Sequence, residues 1–337
     1  MKVGVIGAGG WGTALSIVAS HNAEEVVLVV REDAVQREIT EQRTNQMFLK
    51  GATIPQGVLA TQDLSLLVTC DLILMAVPSS FVKEMAIRIK PYVRAGVPLV
   101  NAAKGFETST SKRLSTVLEE VFHGSNNPIA VISGPNHAEE IGRGLPAAIV
   151  AASQERDVIR FIQDALMTPV FRVYGNTDVC GVELGGALKN IIALAAGITD
   201  GLGYGDNTKA ALMTRGLAEI VRLGKALGAR QTTFTGLSGM GDLIVTCTSV
   251  HSRNRRAGLA LAEGKSLSDI LSGTNMVVEG VNATMVANNL SIRHQIAMPI
   301  TEALYQVLFN SLAPRDAVQS LMTRLAKSEV DEVLPLS

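Results

Sequence analysis

The chain has 337 residues, of which 47% are hydrophobic and 18% are charged, and its formal net charge is −1. This composition excludes a largely disordered protein, and the balance of charges disfavours nonspecific binding to nucleic acid. At roughly 150 residues per domain, the length indicates about two domains. The three cysteines lie far apart, which excludes a disulfide framework or a Cys-x-x-Cys metal clip. The histidines show no metal-ligand spacing, so we expect no metal site.

The amino terminus has one feature of a signal peptide, because Lys2 is followed by an uncharged stretch over residues 3–20. Glycines interrupt this stretch repeatedly, which is unusual for a cleaved export helix. No other uncharged, strongly apolar run approaches the ~20 residues that a membrane span needs. We therefore expect a soluble, cytoplasmic protein without integral membrane association.

The first half of the chain alternates short β-branched runs with helical patterns, including a helix over 11–20. The predicted strands are residues 2–6, 26–30, 71–77, 97–101, 129–133, 148–151 and 170–174. Continuous apolar strands indicate a sheet covered on both faces, and strand–helix alternation indicates a parallel sheet. The pattern predicts an α/β fold with a Rossmann-type, doubly wound sheet.

The second half is rich in Ala, Leu and Gly at helical spacing. The predicted helices are residues 182–196, 209–227, 255–262, 266–271, 280–289, 299–309 and 314–328. Pro299 and Pro314 occupy positions typical of the first turn of a helix. We therefore divide the chain into a Rossmann domain over 1–176 and an all-helical substrate-binding domain over 177–337.

A glycine-rich loop, GAGGWG at residues 7–12, stands between the first strand and the first helix. Gly7 permits a tight turn, Gly9 lets the backbone approach a pyrophosphate, and Gly12 allows close packing of the helix on the strand. The amino terminus of the helix adds free N–H groups for an anion. We therefore expect the loop to bind NAD or NADP, and the predicted contacts are Gly7, Gly9, Gly10, Trp11 and Gly12.

The end of the second strand usually selects between NAD and NADP. Arg31 occupies this position, followed by Glu32 and Asp33. An arginine there accommodates a 2′-phosphate, whereas an acid favours the free ribose hydroxyls of NAD. Because the arginine comes first, NADP is the favoured cofactor and use of both is the alternative.

Two lysines are candidates for chemistry. Lys104 follows a predicted strand at its carboxyl end, where ligands of open α/β sheets bind, although a solvated loop lysine fits the same pattern. Lys189 lies in an otherwise apolar helical run, where burial lowers the pKa of an amine and prepares it to transfer a proton near neutral pH. The alternative for Lys189 is a side chain that extends from one polar stripe of the helix to solvent.

Two further segments complete the polar set. The carboxylate of Asp242 is suited to pairing with Lys189, but Asp242 also fits a helix N-cap before Leu243. The string SRNRR at 252–256 concentrates three arginines, which is typical of a compact anion site. A solvated basic face is the alternative, and Arg255 and Arg256 are the residues most expected to face solvent.

Five ordered motifs together resemble the NAD(P)-dependent sn-glycerol-3-phosphate dehydrogenase family. They are GAGGWG (7–12), NAAKGFE (101–107), SGPNHAEE (133–140), LKN (188–190) and GMGDL (239–243) continuing to SRNR (252–255). The resemblance extends to VVEG at 277–280 and so covers nearly the whole chain. It implies reduction of dihydroxyacetone phosphate to sn-glycerol 3-phosphate and the reverse reaction, which supplies the backbone of phospholipids.

The resemblance also implies residue roles. Lys189 becomes the general acid/base, Lys104 a contact of substrate and cofactor, and Asp242 a residue of the reacting centre. The implied substrate contacts are Lys104, Gly134, Asn136, Lys189, Asp242, Ser252, Arg253 and Asn254. The implied cofactor contacts beyond the loop are Lys104, Ala138, Arg253, Val277 and Glu279. His137 matches no acid/base in the motif and is predicted to be structural. The family also implies a homodimer.

Two other functions compete with this interpretation. A β-hydroxyacid dehydrogenase of the 6-phosphogluconate or hydroxyisobutyrate kind also joins a Rossmann domain to a helical one and uses a lysine. A non-catalytic NADPH sensor is the rival from another class, but it needs neither a buried Lys189 nor a separate phosphate site.

Overall fold

The computed structural model describes residues 1–272 and 277–325. The strands are β1 (Lys2–Ile6), β2 (Glu25–Val29), β3 (Val58–Thr61), β4 (Leu72–Met75), β5 (Leu99–Asn101), β6 (Phe106–Glu107), β7 (Lys112–Arg113), β8 (Ile129–Ser133), β9 (Ala147–Ala152) and β10 (Phe171–Asn176). The helices of the first half are α1 (Gly10–Ala19), α2 (Asp33–Gln42), α3 (Val82–Ile89), α4 (Leu114–Val121), α5 (Ala138–Ile141) and α6 (Arg156–Leu166). Those of the second half are α7 (Val179–Gly201), α8 (Asp206–Ala226), α9 (Gln231–Phe234), α10 (Asp242–Thr248), α11 (Arg253–Ala262), α12 (Leu267–Ser272), α13 (Glu279–His294), α14 (Pro299–Phe309) and α15 (Pro314–Met322).

Eight strands form one sheet in the order β10-β9-β8-β5-β4-β1-β2-β3. The six strands from β8 to β3 are parallel, as predicted. The expectation of a wholly parallel sheet is wrong at β9, which pairs antiparallel with β8, and β10 follows β9. A parallel β9 would require the connection to bring the chain back to the amino-terminal end of β8, a distance of ~16 Å. The only α-helix in that connection, α5, has four residues and spans ~6 Å, so the chain turns back antiparallel instead.

Apolar side chains cover both faces of the sheet, which confirms the doubly wound α/β class. One core cluster joins β1 and β2 to α1 and α6, and a second joins β4 and β5 to α3 and α4. The carboxyl ends of β1, β4, β5 and β8 meet at one edge of the sheet. The loops that carry Gly7, Lys104 and Gly134 follow these ends, so the sheet brings the motifs together.

The second half is helical, and α7 forms its centre by packing against α8, α10, α11 and α13. This helix is long and apolar enough to span a membrane by composition, but 94% of its apolar window is buried inside the fold. It is therefore a core helix. Two glycines let α7 and α11 approach closely: a Cβ at Gly197 would lie 2.0 Å from the carbonyl oxygen of Arg255, and one at Gly258 would lie 2.0 Å from that of Leu194.

Several boundaries differ from those predicted. The strand β3, the helices α2 to α6, α9 and α10, and the β6–β7 hairpin were not among the predicted elements, and α7 and α13 are longer than expected. The predicted helix over 314–328 ends at Met322, and its last residues lie outside the described part of the chain. The sheet ends at Asn176 and α7 begins at Val179, beside the predicted division of the chain.

Candidate active site

The glycine-rich loop has the geometry of a backbone cradle. Gly7 has a φ of +107° and donates its N–H to the carbonyl of Val29 at 3.0 Å. A Cβ at Gly12 would lie 1.9 Å from the carbonyl oxygen of Gly7, so only glycine permits α1 to start so close to β1. At Gly9, in contrast, a Cβ would meet nothing within 4 Å. The loop is therefore held by the protein at Gly7 and Gly12 and is open at Gly9.

Two side chains, that of Asn45 outside the loop and that of Trp11 within it, hold the loop in place. Asn45 is fully buried and donates its amide to the carbonyl of Ala8 and the hydroxyl of Thr13, both at 2.9 Å. The indole of Trp11 donates to the carbonyl of Ala102 at 3.1 Å, which ties the loop to the segment after β5. No pattern in the sequence indicated Asn45, because its backbone and hydroxyl partners are 37 and 32 residues away.

Lys104, Asp242 and Lys189 form one buried charged cluster. The Nζ of Lys104 donates to Oδ2 of Asp242 at 2.7 Å, and the Nζ of Lys189 donates to Oδ1 of the same carboxylate. The Asp242 side chain is 1% exposed, that of Lys189 7% and that of Lys104 17%. The structure therefore brings the three predicted catalytic residues together, and Lys189 does not extend to solvent.

Burial sets the protonation of Lys189. Removal from water lowers the pKa of its amine to about 7, and the ammonium of Lys104 adds to this effect, while Asp242 opposes it. Both protonation states of Lys189 are therefore accessible near neutral pH. An amine of this kind can accept a proton from a hydroxyl and return it to a carbonyl oxygen.

Thr246 is a member of the cluster that the sequence did not reveal. Its hydroxyl accepts a hydrogen bond from Nζ of Lys189 at 2.7 Å and lies 2.6 Å from the carbonyl of Asp242, one helical turn earlier in α10. Asp242 is the first residue of α10, and its side chain makes ion pairs rather than a cap. Only the (i, i+4) spacing of Asp242 and Thr246 could have indicated that both face α7.

The predicted anion residues lie at the amino terminus of α11. Ser252 caps this helix by accepting from the N–H of Arg255 at 3.3 Å, and Arg253 donates to the carbonyl of Val277 at 3.2 Å. Arg253 is exposed, although the protein around its guanidinium lowers its pKa by desolvation. Asn254 is buried and links Asn190 to the N–H of Gly280.

The two arginines that were expected to face solvent, Arg255 and Arg256, differ in their contacts. Arg256 is exposed, as expected. Arg255 does not face solvent freely, because its Nε donates to Asp200 at 2.7 Å and Lys209 pairs with the same carboxylate at 2.6 Å. That expectation is wrong for Arg255. The ion pair is formed with α7 across the close helix contact, which sequence spacing alone could not show.

Glu279 joins the two halves of the chain. Its carboxylate accepts from the backbone N–H of Ser79 at 3.0 Å and from the Ser79 hydroxyl at 2.5 Å, and burial raises its pKa. Ser79 lies in the turn after β4, at the edge of the sheet where the carboxyl ends of β1, β4, β5 and β8 meet, and was not predicted as a site residue. Glu279 and Val277 thus lie beside this edge.

The segment after β8 reaches the charged cluster. The carbonyl of Gly134 and the Oδ1 of Asn136 accept from Nζ of Lys104 at 2.9 Å and 2.6 Å. A Cβ at Gly10 would lie 3.7 Å from the Cβ of Ala138, so this segment also touches the glycine-rich loop.

Arg31 lies apart from the cluster. It follows β2, its side chain is 82% exposed, and its Nε donates to Glu32 at 2.9 Å. The arginine predicted to select NADP is therefore paired with the acid that favours NAD.

These parts fit a dinucleotide-dependent dehydrogenase. The open backbone at Gly9 and the amino terminus of α1 suit a pyrophosphate, and Lys189 is an amine that can carry a proton.

Two family models match the chain: the amino-terminal part of NAD-dependent glycerol-3-phosphate dehydrogenase over residues 2–159 and its carboxyl-terminal part over 178–319. A glycerol-3-phosphate dehydrogenase [NAD(P)+] of Desulfitobacterium hafniense is 53% identical over 98% of this chain and 94% of its own length.

The chain belongs to the NAD-dependent glycerol-3-phosphate dehydrogenase family.

Other members of the family support the same assignment. The Moorella thermoacetica enzyme of that name is 50% identical over 98% of each chain. The crystal structure of glycerol-3-phosphate dehydrogenase from Coxiella burnetii, 38% identical, has a TM-score of 0.91 over 96% of this chain and 99% of its own. The chain is therefore an NAD(P)-dependent dehydrogenase, and the β-hydroxyacid dehydrogenase alternative is not favoured.

Proposed function

We propose that this protein interconverts dihydroxyacetone phosphate and sn-glycerol 3-phosphate with NAD(P)H. The observation that carries the proposal is the pairing of two ammonium groups with one buried carboxylate, Asp242, beside an arginine at the start of α11. The names of relatives about half identical to this chain support the same reaction. In phospholipid synthesis the product supplies the glycerol backbone, which is the role we infer.

The bound nicotinamide supplies or accepts a hydride at the central carbon of the substrate. Lys189 acts as the general acid/base: its ammonium donates a proton to the carbonyl oxygen during reduction, and its amine takes the hydroxyl proton during oxidation. Lys104 polarises the same oxygen, and Asp242 holds both lysines in position. The chain thereby moves the proton within a site that excludes most water.

The phosphate of the substrate is assigned to the amino terminus of α11. Arg253 provides a planar fork of donors, and the free N–H groups of the helix add a positive end. Ser252 caps the helix by accepting from the N–H of Arg255, and Asn254 connects it to α7 by donating to Asn190. On the Rossmann side, Gly134 and Asn136 complete the substrate contacts.

The cofactor contacts are assigned to the loop and the edge around it. They are Gly7, Gly9, Gly10, Trp11, Gly12, Arg31, Lys104, Ala138, Arg253, Val277 and Glu279. Arg31 supports a preference for NADP, with NAD also used because Glu32 is its neighbour. We further propose a cofactor domain over 1–176, a helical substrate domain over 177–337, a homodimer and a cytoplasmic location.

One assay tests the function. We expect the absorbance of NADPH to fall when the protein is mixed with dihydroxyacetone phosphate, and not with methylmalonate semialdehyde, the oxidised form of 3-hydroxyisobutyrate. NADP reduction by 6-phosphogluconate should also be absent. Turnover of either rival substrate above that of the proposed one would overturn the proposal, and sedimentation velocity tests the dimer separately.

A further inference from the structure

The turn after β8 contains an unusual concentration of unsatisfied polar atoms. Over residues 1–272 and 277–325, four buried side-chain polar atoms have no hydrogen-bond partner, and three belong to Ser133, Asn136 and His137. Buried polar groups in proteins are nearly always hydrogen-bonded, so each exception requires a reason. Three exceptions within five residues, at the edge of a proposed active site, point to a ligand.

The three atoms have different surroundings. Ser133 faces α7, because a Cβ at Gly186 would lie 2.3 Å from its hydroxyl oxygen. Asn136 already contacts the charged cluster through Lys104 and was predicted to bind substrate. His137 was predicted to be structural and has no assigned role in binding or catalysis, and its atom without a partner is Nε2.

A structural role does not account for the His137 side chain. His137 is the N-cap residue of α5, but its side chain makes no capping hydrogen bond. Its ring is tilted against that of His251, with centroids 6.0 Å apart, and Nε2 of His137 makes no hydrogen bond there. Nε2 of His137 is therefore buried without a hydrogen-bond partner among the described residues.

The position of His137 indicates what it could bind. It directly follows Asn136, which contacts Lys104, and its ring contacts His251, which directly precedes Ser252 and Arg253. His137 thus lies between the proton-transfer cluster and the residues assigned to the phosphate. A three-carbon phosphorylated substrate that reaches from one to the other must pass this side chain.

The chemistry of the imidazole is consistent with a donor. Burial lowers the pKa of His137, and the ammonium groups of Lys189 and Lys104 lower it further, so the ring is neutral at pH 7. A neutral imidazole carries one N–H, and the dianion of a phosphate monoester, the main form at this pH, offers only acceptors. The lysines already serve the reacting oxygen, which leaves the phosphate as the partner for Nε2.

We propose that the Nε2–H of His137 donates a hydrogen bond to the phosphate of the substrate and is a further determinant of specificity for phosphorylated substrates. This inference rests on the proposed function. It adds His137 to Ser252, Arg253 and Asn254 and replaces its predicted structural role.

Two variants of His137 distinguish the loss of its hydrogen-bond donor from a change in the shape of its side chain. His137→Phe keeps a ring of similar size without a donor, and His137→Gln keeps a donor close to the position of Nε2. Hydrogen bonds to charged groups predict a rise of about ten- to hundredfold in the KM for dihydroxyacetone phosphate in the Phe variant, and less than about fivefold in the Gln variant. kcat should stay within a few-fold, since the proton carrier is unchanged. His123→Phe, at an exposed histidine of the same domain, is the control.

Inorganic phosphate is the probe of the contact itself. Titrated into the complex of the protein with NADPH and followed by nucleotide fluorescence, phosphate should bind the Phe variant about tenfold or more weakly than wild type. Unchanged phosphate affinity, with or without a raised KM, would overturn the assignment. This measurement needs no turnover, so it remains informative if wild type fails to reduce dihydroxyacetone phosphate and the proposed function itself is wrong.

Discussion

The glycine-rich loop and the Lys104–Asp242–Lys189 cluster are built on opposite principles. The loop is contiguous over 7–12 and works through main-chain groups that side chains would block. The cluster joins three segments that are far apart in the chain and works through charged side chains removed from water. We therefore expect a change at Gly9, the open position of the loop, to affect cofactor binding alone, and changes in the cluster to affect chemistry, pH dependence and stability together.

The largest effect is expected for Lys189→Met. Methionine fills a similar volume without the amine, and general acid–base groups contribute 10²–10⁴-fold, so kcat should fall by about that factor. NADPH affinity, measured by fluorescence, should change by no more than a few-fold because the loop is untouched. Lys265→Met, at an exposed lysine, is the control.

The pH profile is the second measurement on this variant. Because burial lowers the pKa of Lys189 to about 7, the wild-type rate of oxidation should rise with pH through that region as the amine loses its proton. The same limb should be missing in Lys189→Met. A variant with near-native turnover would place the proton carrier elsewhere, with Lys104 the next candidate.

Asp242→Asn tests whether the cluster is also a stabilising element. Loss of the carboxylate leaves the ammonium groups of Lys104 and Lys189 without their partner, and breaking a buried ion pair costs about 3–5 kcal/mol of unfolding free energy. Denaturant unfolding measures this loss, with the exposed Asp157→Asn as control. Because Asp242 raises the pKa of Lys189, any residual oxidation should have its limb at lower pH. Wild-type stability in this variant would contradict the predicted role.

Arg253→Ala tests the part of the site that is assigned to the phosphate of the substrate. Loss of a charge-assisted hydrogen bond should raise the KM for dihydroxyacetone phosphate about ten- to hundredfold. The poor turnover of unphosphorylated dihydroxyacetone should change much less, and the exposed Arg256→Ala should leave both KM values near wild type. Equal losses on both substrates would assign Arg253 to the chemistry or the fold.

Arg31→Asp tests cofactor choice. It removes the proposed partner of the 2′-phosphate, so NADPH affinity should fall by about one to two decades, while NADH affinity should hardly change. Arg37→Asp, exposed on α2, is the matched control. Equal losses for both cofactors would refute the assignment.

The smallest effect on binding is expected within the loop. At Gly9 an added Cβ meets no protein atom, so Gly9→Ala should keep wild-type stability but weaken NADPH by roughly tenfold, or ~1.4 kcal/mol. At Gly12 the same methyl collides with the carbonyl of Gly7, and we expect a loss of about 1–3 kcal/mol in unfolding free energy. If the two variants lost similar amounts of stability and of NADPH affinity, the open space at Gly9 would not be where the cofactor binds.

Sequence reasoning succeeded where local pattern carries the information. The loop, the buried strands and helix α14, whose bounds were predicted in full, all depend on neighbours in the chain. The meeting of Lys104, Asp242 and Lys189 was anticipated only in part, because the proposed pair of Asp242 and Lys189 was extended by Lys104 across the domains. Asn45 and Ser79 were missed because their partners are far away in the sequence. Thr246 was missed although it lies one helical turn after Asp242. The antiparallel β9 followed from the shortness of α5, a boundary that periodicity does not resolve.

The close contact of α7 with α11 has a consequence for substrate size. Lys189 lies on α7 and Arg253 begins α11, and Gly197 and Gly258 let the two backbones touch without side chains between them. On the proposed assignment, main-chain contact fixes the spacing of the two helices that carry the proton carrier and the phosphate site. The enzyme should thus discriminate homologous phosphates by chain length, and a methyl group at Gly258 should shift that selectivity towards longer molecules.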